Sequence, residues 1–147
     1  MSECVFCRLV AGELPAVFVH REPAIVAFMD AGQVNDGHVI VATTRHVATI
    51  YGITDDEAAA AFRVAARVAR AVKREFGAAG VSILQANEPA GFQTVPHFHL
   101  HVLPRHADDG VGLAWPAKRP PFERLAALGE RVREALAAPV AAREGEE

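Results

Sequence analysis

The 147-residue chain has few of the features that mark membrane, secreted or nucleic-acid-binding proteins. No apolar run approaches the roughly 20 residues that a membrane-spanning helix needs. The segment MSECVFCRLV carries no basic stretch before its short apolar run, so we expect no signal peptide, no membrane partner and a cytoplasmic location. The 15 basic and 18 acidic residues leave a net charge of -3, which argues against a nucleic acid as the main partner.

Cysteine is scarce as well, and the two in the chain, Cys4 and Cys7, lie in one Cys-x-x-Cys motif. In a cytosolic chain such a pair more often forms a metal or redox site than a structural disulfide. Hydrophobic residues make up 51% and charged residues 22% of the chain, a balance typical of a globular domain. Because no basic face is present, any bound phosphate must be held by backbone N–H groups and histidines.

Short strand patterns separated by turn signals run along most of the chain. Two apolar runs within residues 17–29 predict a hairpin, and the β-branched run 38–42 predicts a third strand. We expect two further strands over 81–85 and 94–103, the last of them closed by Pro104.

One long helix and one shorter helix are expected. Thr54 and Glu57 form a capping box at the start of an Ala-rich helix over 54–76. Its apolar stripe comprises Ala58, Phe62, Ala65, Val68, Ala69, Val72 and Phe76. Residues 122–138 are helix-like. No repeat or linker divides the chain, so we expect a single domain over 1–138 and an acidic tail over 139–147.

Three histidines spaced by two residues mark the last predicted strand. On a strand, His97, His99 and His101 point to one face, and the apolar residues between them point to the opposite, core-facing side. Imidazole ionises near neutral pH, so a neutral ring can attack phosphorus while a charged neighbour stabilises the anion. Two alternatives stay open at this point: histidines without a chemical role, and three ligands of one metal ion. The second is awkward, because residues two apart on a strand are about 6.6 Å apart.

The run His97-Phe-His99-Leu-His101-Val-Leu resembles the His-φ-His-φ-His-φ-φ signature of the histidine triad (HIT) family of nucleotide hydrolases and transferases. The resemblance covers about residues 4–106, and other landmarks follow in family order: Cys4-Val-Phe-Cys7-Arg-Leu-Val-Ala-Gly12-Glu, Phe28-Met-Asp30, Gly37-His38-Val-Ile-Val, Arg45-His46 and Gln93-Thr-Val-Pro-His97. The cysteine pair and the segment around Gly12 resemble the bacterial Hit and Hint branch. Gln93-Thr94-Val95 and Val102-Leu103-Pro104-Arg105 resemble the Fhit branch.

The resemblance implies an α+β fold: an antiparallel sheet of about five strands, one long helix, a C-terminal helix, and a homodimer whose two sheets run together. It implies an enzyme that cleaves the bond to the α-phosphate of an adenosine nucleotide, either a phosphoramidate or a dinucleoside polyphosphate, through a nucleotidyl-histidine intermediate. The alternatives are nucleotidyl transfer through the same histidine and a nucleotide- or zinc-dependent binding protein with vestigial chemistry.

The resemblance also assigns the catalytic histidines. His99 corresponds to the nucleophile that attacks the α-phosphorus, and His101 to the ring that contacts the phosphate and stabilises charge. His38 corresponds to a further histidine that orients the nucleophile or the phosphate. Asp30 matches the family acid that holds the ribose hydroxyls.

Five further residues are assigned to the nucleotide by the same resemblance. Phe6 and Phe28 match apolar residues that flank the base, although simple core packing is the alternative for both. Asn87, Gln93 and Thr94 match contacts to the phosphate and the leaving group. Where this chain has Phe92, the family commonly has glycine, which puts the backbone N–H contact at that position in doubt.

A subset of bacterial HIT proteins resembles this chain in joining an N-terminal cysteine pair to two histidines. By that resemblance Cys4, Cys7, His46 and His97 are the ligands of a structural zinc ion, since two thiolates and two imidazoles make a closed tetrahedral site. Redox chemistry, or cysteines without a role, are the alternatives. The resemblance therefore separates the triad: His97 for zinc, His99 and His101 for phosphate.

Overall fold

Five antiparallel strands form a single sheet in the computed structural model, which describes residues 4–139. The strands are β1 (Phe18–Arg21), β2 (Ile25–Met29), β3 (Val39–Thr43), β4 (Gly80–Gln85) and β5 (His99–Arg105). Their spatial order is β1-β2-β3-β5-β4, so the histidine strand β5 lies between β3 and the edge strand β4. This arrangement confirms the predicted α+β fold with a five-stranded antiparallel sheet.

The helices within residues 4–139 are α1 (Val5–Val10), α2 (Asp55–Glu75) and α3 (Phe122–Ala137), and none of them is long and apolar enough to cross a membrane. The Cα positions divide the chain into two compact units, Met1–Asp109 and Gly110–Glu147, and α3 belongs to the second. The single domain over 1–138 stays a prediction. Residues 140–147, most of the predicted acidic tail, lie outside the described part of the chain.

Helix α2 begins as its capping box predicts. The Thr54 side chain accepts a hydrogen bond from the Glu57 N–H at 3.1 Å, and the Glu57 carboxylate accepts one from the Thr54 N–H at 2.8 Å. The predicted apolar stripe was wrong in part, because Phe62 is 55% exposed and its neighbour Ala61 is fully buried. In a helix this rich in alanine several faces are almost equally apolar, so the contact with the sheet decides which one is buried.

The two faces of the sheet differ as the alternation in β5 predicts. Leu100 and Val102 pack with α2 in one core cluster, whereas the rings of His99 and His101 lie on the opposite face. On the histidine face Phe6 of α1 packs in a second cluster, whose other buried members are Val26, Phe28, Ile40 and Ala42.

The predicted limits of the histidine strand need correction at both ends. The ladder starts at His99 because the preceding Phe98 N–H donates to the Val47 carbonyl at 2.6 Å. His97 therefore precedes the strand. At the other end Pro104 pairs with Val81, so the strand continues past it; proline has a φ that a strand tolerates and lacks only the N–H.

Glu57 also joins the start of α2 to the loop after β3. Its two carboxylate oxygens accept hydrogen bonds from Arg45 at 2.9 and 2.8 Å, and the residue is nearly buried. The hydrogen bonds from Arg45 hold the pKa of Glu57 below its usual value, although burial acts in the opposite direction. Because the folded state lowers this pKa, the ionised carboxylate stabilises the fold above its unfolded pKa, and the stabilisation is lost as the pH falls through the folded value.

We expect Glu57→Gln to lower the free energy of unfolding by about 1–3 kcal/mol at pH 7, since it breaks a charged hydrogen-bond network and weakens the helix cap. The difference from the wild type should shrink as the pH falls through the folded pKa of Glu57, which lies below its usual value, because the wild-type side chain is then neutral as well. Urea unfolding across this pH range measures it, with the exposed Glu75→Gln as the matched control. A difference that does not change with pH would contradict the role of the ionised form.

Candidate functional site

Two cysteines and two histidines converge just before β5. Cys4 and Cys7 come from α1 and its N-cap, His46 follows β3, and His97 precedes β5. The Cys4 and Cys7 Sγ atoms lie 3.3 and 3.6 Å from the His97 Nδ1, and the Cys7 Sγ lies 3.4 Å from the His46 Nδ1. All four donor atoms lie within 4.8 Å of one another, so the structure brings together the whole predicted metal set.

These residues fit a tetrahedral zinc ion. With Zn–S bonds of about 2.3 Å and Zn–N bonds of about 2.0–2.1 Å, a ligand sulfur and a ligand nitrogen lie about 3.6 Å apart. The three sulfur–nitrogen distances above agree with this value to within about 0.3 Å. The His97 Nε2 lies 2.8 Å from the Thr43 carbonyl, to which it must donate a proton, and the lone pair is then on the Nδ1 that faces the cysteines.

His99, the middle residue of the triad, is held in one tautomer. Its Nδ1 lies 2.6 Å from the carbonyl oxygen of His97, and because a carbonyl only accepts, the proton is on Nδ1. The Nε2 atom therefore carries the lone pair. Burial lowers the pKa of His99, and this outweighs the opposite effects of the His97 carbonyl and Asp30. The ring is thus neutral at neutral pH, as a nucleophile requires.

Asp30, His38 and His101 form a second polar group beside His99. The His38 Nε2 lies 2.9 Å from the His101 Nδ1, and the Asp30 Oδ2 lies 3.4 and 3.9 Å from these two nitrogens. Burial, together with the nearby His99 and His38 rings, lowers the pKa of His101 to about 4. Burial also lowers the pKa of His38. The sequence analysis predicts a charged ring beside a neutral nucleophile. In the structure, however, the lowered pKa values make both His38 and His101 neutral at pH 7.

The two phenylalanines assigned to the base lie on the same face of the sheet. Phe6 and Phe28 are buried and meet edge to face, with ring centroids 5.3 Å apart. Phe6 also meets the His99 ring edge to face at 5.1 Å. Both side chains therefore pack as core residues, and Phe6 in addition holds one side of the His99 ring.

A family model described as the HIT domain matches residues 11–108, most of the chain. The chain belongs to the HIT family. As a HIT protein it is similar to adenosine 5'-monophosphoramidase HNT1 of Candida albicans, with 28% identity over 92% of this chain and 93% of the relative.

Two solved structures of HIT proteins share the fold. A HIT family member from Bacillus subtilis has a TM-score of 0.88 and 31% identity, covering 94% of this chain and 100% of the other. A zinc-bound histidine triad protein from Mycobacterium smegmatis has a TM-score of 0.71 and 30% identity, covering 90% and 97%. The HIT fold implied by the triad is therefore confirmed.

The resemblance to HIT proteins assigns the amide side chains of Asn87 and Gln93 to the phosphate. In this structure both amides form hydrogen bonds with the backbone of a neighbouring loop. Asn87 Oδ1 accepts a hydrogen bond from the Ile50 N–H at 2.7 Å, and Gln93 Nε2 donates to the Ala48 carbonyl. Thr94 is exposed. The structure thus places these three residues in the loop before the triad, where Asn87 and Gln93 connect two loops, and does not bond them to the triad histidines.

Phe92, at the position where HIT proteins commonly have glycine, adopts the left-handed conformation with φ 70° and ψ 21°. Its N–H donates to the Pro89 carbonyl at 3.1 Å, so the backbone donor that we placed in doubt is engaged within the loop. The left-handed region costs a residue with a side chain roughly 1–2 kcal/mol, which explains a preference for glycine there. The side chain is 88% exposed.

Sequence reasoning missed one contact of this HIT site. Thr43 orients the His97 ring through its main-chain carbonyl, as described above. The Thr43 Oγ1 also lies 3.3 Å from the His97 Nε2, but the closer contact is made by the main chain, which leaves no signature in residue type.

Proposed function

We propose that this HIT protein is a nucleotide hydrolase that cleaves the bond between the α-phosphate of an adenosine nucleotide and an amine. The observation that carries the proposal is the fixed tautomer of the buried His99, which places the lone pair of the ring on Nε2. The similarity to a relative named adenosine 5'-monophosphoramidase supports the substrate class.

In the proposed reaction the His99 Nε2 attacks the α-phosphorus. A phosphorus–nitrogen bond to His99 forms, the bond to the leaving amine breaks, and the amine departs with a proton taken from the solvent. Water then attacks the same phosphorus and breaks the bond to His99, which releases AMP, returns one proton to the solvent and restores neutral His99. The net reaction consumes one water and yields AMP and the amine.

Neighbouring histidines have supporting roles in this proposal. His101 contacts the phosphate, and its ring lies 4.9 Å from that of His99, centroid to centroid. His38, which is buried against His101, positions that ring. Neutral imidazoles suit this task because they can donate a hydrogen bond to a phosphate oxygen without adding a fixed charge.

The remaining site residues are proposed to bind the rest of the substrate. Asp30 accepts hydrogen bonds from the ribose hydroxyls, and Phe6 and Phe28 border the base. Asn87, Gln93 and Thr94 contact the phosphate and the leaving group, which requires the two amides to exchange some of their loop contacts. The side chain of Asp30 is 25% exposed, so it is within reach of a ligand.

Zinc bound by Cys4, Cys7, His46 and His97 belongs to the proposal as a structural ion, which would connect α1 to the start of β5. The fit of the donor atoms and the similarity to a zinc-bound HIT protein support it. The role of such an ion would be structural, because four protein ligands leave no open coordination position for a substrate or a water molecule.

We further propose a homodimer, a single domain over 1–138 and a cytoplasmic location. The dimer is supported by the edge strand β4, where Ile83 and Leu84 are 41% and 45% exposed. Pairing of the β4 edges of two chains would continue the sheet and cover these side chains. An exposed edge strand without such a partner is prone to pair with other chains and aggregate.

The direct test is to incubate the purified protein with adenosine 5'-monophosphoramidate and, separately, with diadenosine polyphosphates, and to measure AMP. We expect faster turnover of the phosphoramidate. Preferred cleavage of the polyphosphates would move the function to the Fhit-like alternative, and a new nucleotide formed with added phosphate would indicate transfer. Turnover of none of these compounds would contradict the proposal.

A further inference from the structure

Three donor atoms beside the nucleophile lie close enough together to share a cation. The His38 Nε2, the His101 Nδ1 and the Asp30 Oδ2 all lie within 4.8 Å of one another, at distances of 2.9, 3.4 and 3.9 Å. They come from β5 and from the segment between β2 and β3. This group shares no residue with the cysteine site.

Two imidazoles and one carboxylate form a donor set that binds divalent transition metals with open positions. Ligand bonds of about 2.0–2.1 Å place neighbouring donor atoms about 3.0 Å apart in octahedral and about 3.4 Å apart in tetrahedral geometry. Two of the observed distances fit this range, and the longest, between Asp30 and His101, needs to shorten by about 0.5 Å. Both of those side chains are about a quarter exposed, so they have room to move and an ion can enter.

The carboxylate is already oriented for this task. The Asp30 Oδ1 accepts a hydrogen bond from the Gly32 N–H at 2.8 Å, which leaves the Oδ2 pointing toward the two rings. Such bonds fix the orientation of metal-ligating carboxylates. Among the described residues, the ion-pair partners of Asp30 are these two histidines rather than any Lys or Arg. The carboxylate therefore lacks a full positive charge beside it, which a cation would supply.

We propose that Asp30, His38 and His101 form a second metal site, which takes a divalent transition-metal ion such as Zn²⁺ or Co²⁺. The ion replaces the hydrogen bond between the two rings, and water completes its coordination. Resting on the proposed function, we add that this ion inhibits the enzyme, because it occupies the Asp30 oxygen that would accept hydrogen bonds from the ribose hydroxyls and breaks the contact by which His38 positions the His101 ring.

Metal titration tests the site without any catalytic assay. The protein is first loaded with one equivalent of Zn²⁺, which the thiolate site holds more tightly than Co²⁺, and is then titrated with Co²⁺ while the cobalt absorption is recorded. We expect one further ion per chain, with visible bands but without the sulfur-to-cobalt charge-transfer band. Asp30→Asn should weaken this second binding by at least about 100-fold, more than the loss of an outer-sphere partner costs.

Asp36→Asn is the matched control, since Asp36 is an exposed carboxylate of the same loop that lies outside the group. It should bind the second ion as the wild type does. If the zinc-loaded protein takes up no cobalt, or if Asp30→Asn and the wild type bind cobalt equally, the proposed second metal site is contradicted. A charge-transfer band from sulfur would assign the cobalt to the cysteine site and overturn the proposal in the same way.

The inhibition is tested separately. Free Zn²⁺ should raise the KM for adenosine 5'-monophosphoramidate while kcat is unchanged, and AMP should displace the second cobalt ion. A fall in kcat at constant KM would overturn competitive inhibition. If the protein turns over no nucleotide, the proposed function fails, whereas the cobalt titration still decides whether the second site exists.

Discussion

Replacing His99 with alanine is expected to abolish hydrolysis of adenosine 5'-monophosphoramidate, with kcat reduced by at least about 10⁴-fold. Removal of the nucleophile leaves the binding residues in place, so the KM should change far less than kcat. The wild type, mixed rapidly with substrate labelled in the α-phosphate, should carry label that is stable to base and labile to acid, as a nucleotidyl-histidine is. The variant should carry none.

Two further variants separate chemistry from folding. His99→Asn keeps a polar group in the small buried space beside Phe6 and should be as inactive as the alanine variant, with a circular dichroism spectrum like that of the wild type. His106→Ala, an exposed histidine outside the group around His99, should retain activity. Label bound to His99→Ala, or turnover by it within tenfold of the wild type, would assign the nucleophile elsewhere.

Much of the fold could be predicted because strand geometry is local. The alternation of side chains in β5 follows from a period of two residues, so Leu100 and Val102 had to face the core once His99 and His101 faced away. The capping box fixes the start of α2 in the same local way, through Thr54 and Glu57.

What could not be predicted depends on contacts between distant segments. The strand begins at His99 rather than at Thr94 because the Phe98 N–H bonds to Val47, far away in the chain. Phe62 is exposed because the sheet packs against the small side chains of α2, and their hydrophobicity alone does not define one face.

In the candidate site, too, some features could be predicted from the sequence and others could not. The Cys-x-x-Cys spacing indicated a metal or redox site, and the resemblance to HIT proteins added His46 and His97 to Cys4 and Cys7 as the donors that now converge. Residue type did not indicate that Asn87 and Gln93 bond to loop backbone, since an amide side chain can bond to almost any polar group. The short distance between Asp30 and His38 was also hidden, because the resemblance assigned the acid to ribose.

Loss of the proposed zinc ion should have the second large effect. We expect Cys4→Ser combined with Cys7→Ser to remove bound zinc and to lower the stability of the folded protein. An ion present at 1,000 times its Kd contributes about 4 kcal/mol, which corresponds to a Tm shift of roughly 8–16 °C for a chain of this size. Zinc analysis and thermal unfolding with and without a chelator measure both effects. The chelator should lower the Tm of the wild type and leave that of the double variant unchanged.

The same change should reduce kcat, because one residue connects the two sites. His97 presents its Nδ1 to the cysteines, and its main-chain carbonyl holds the Nδ1 proton of His99. Phe6, which lies between the two cysteines in the chain, packs against the His99 ring and should lose its position with α1. NMR of the His99 ring nitrogens at a temperature where the variant is folded would detect a mixture of tautomers in place of one. A variant that loses its zinc but keeps both the single tautomer and kcat would show that the ion stabilises the fold without positioning the nucleophile. A variant that binds zinc as the wild type does would contradict the ligand assignment itself.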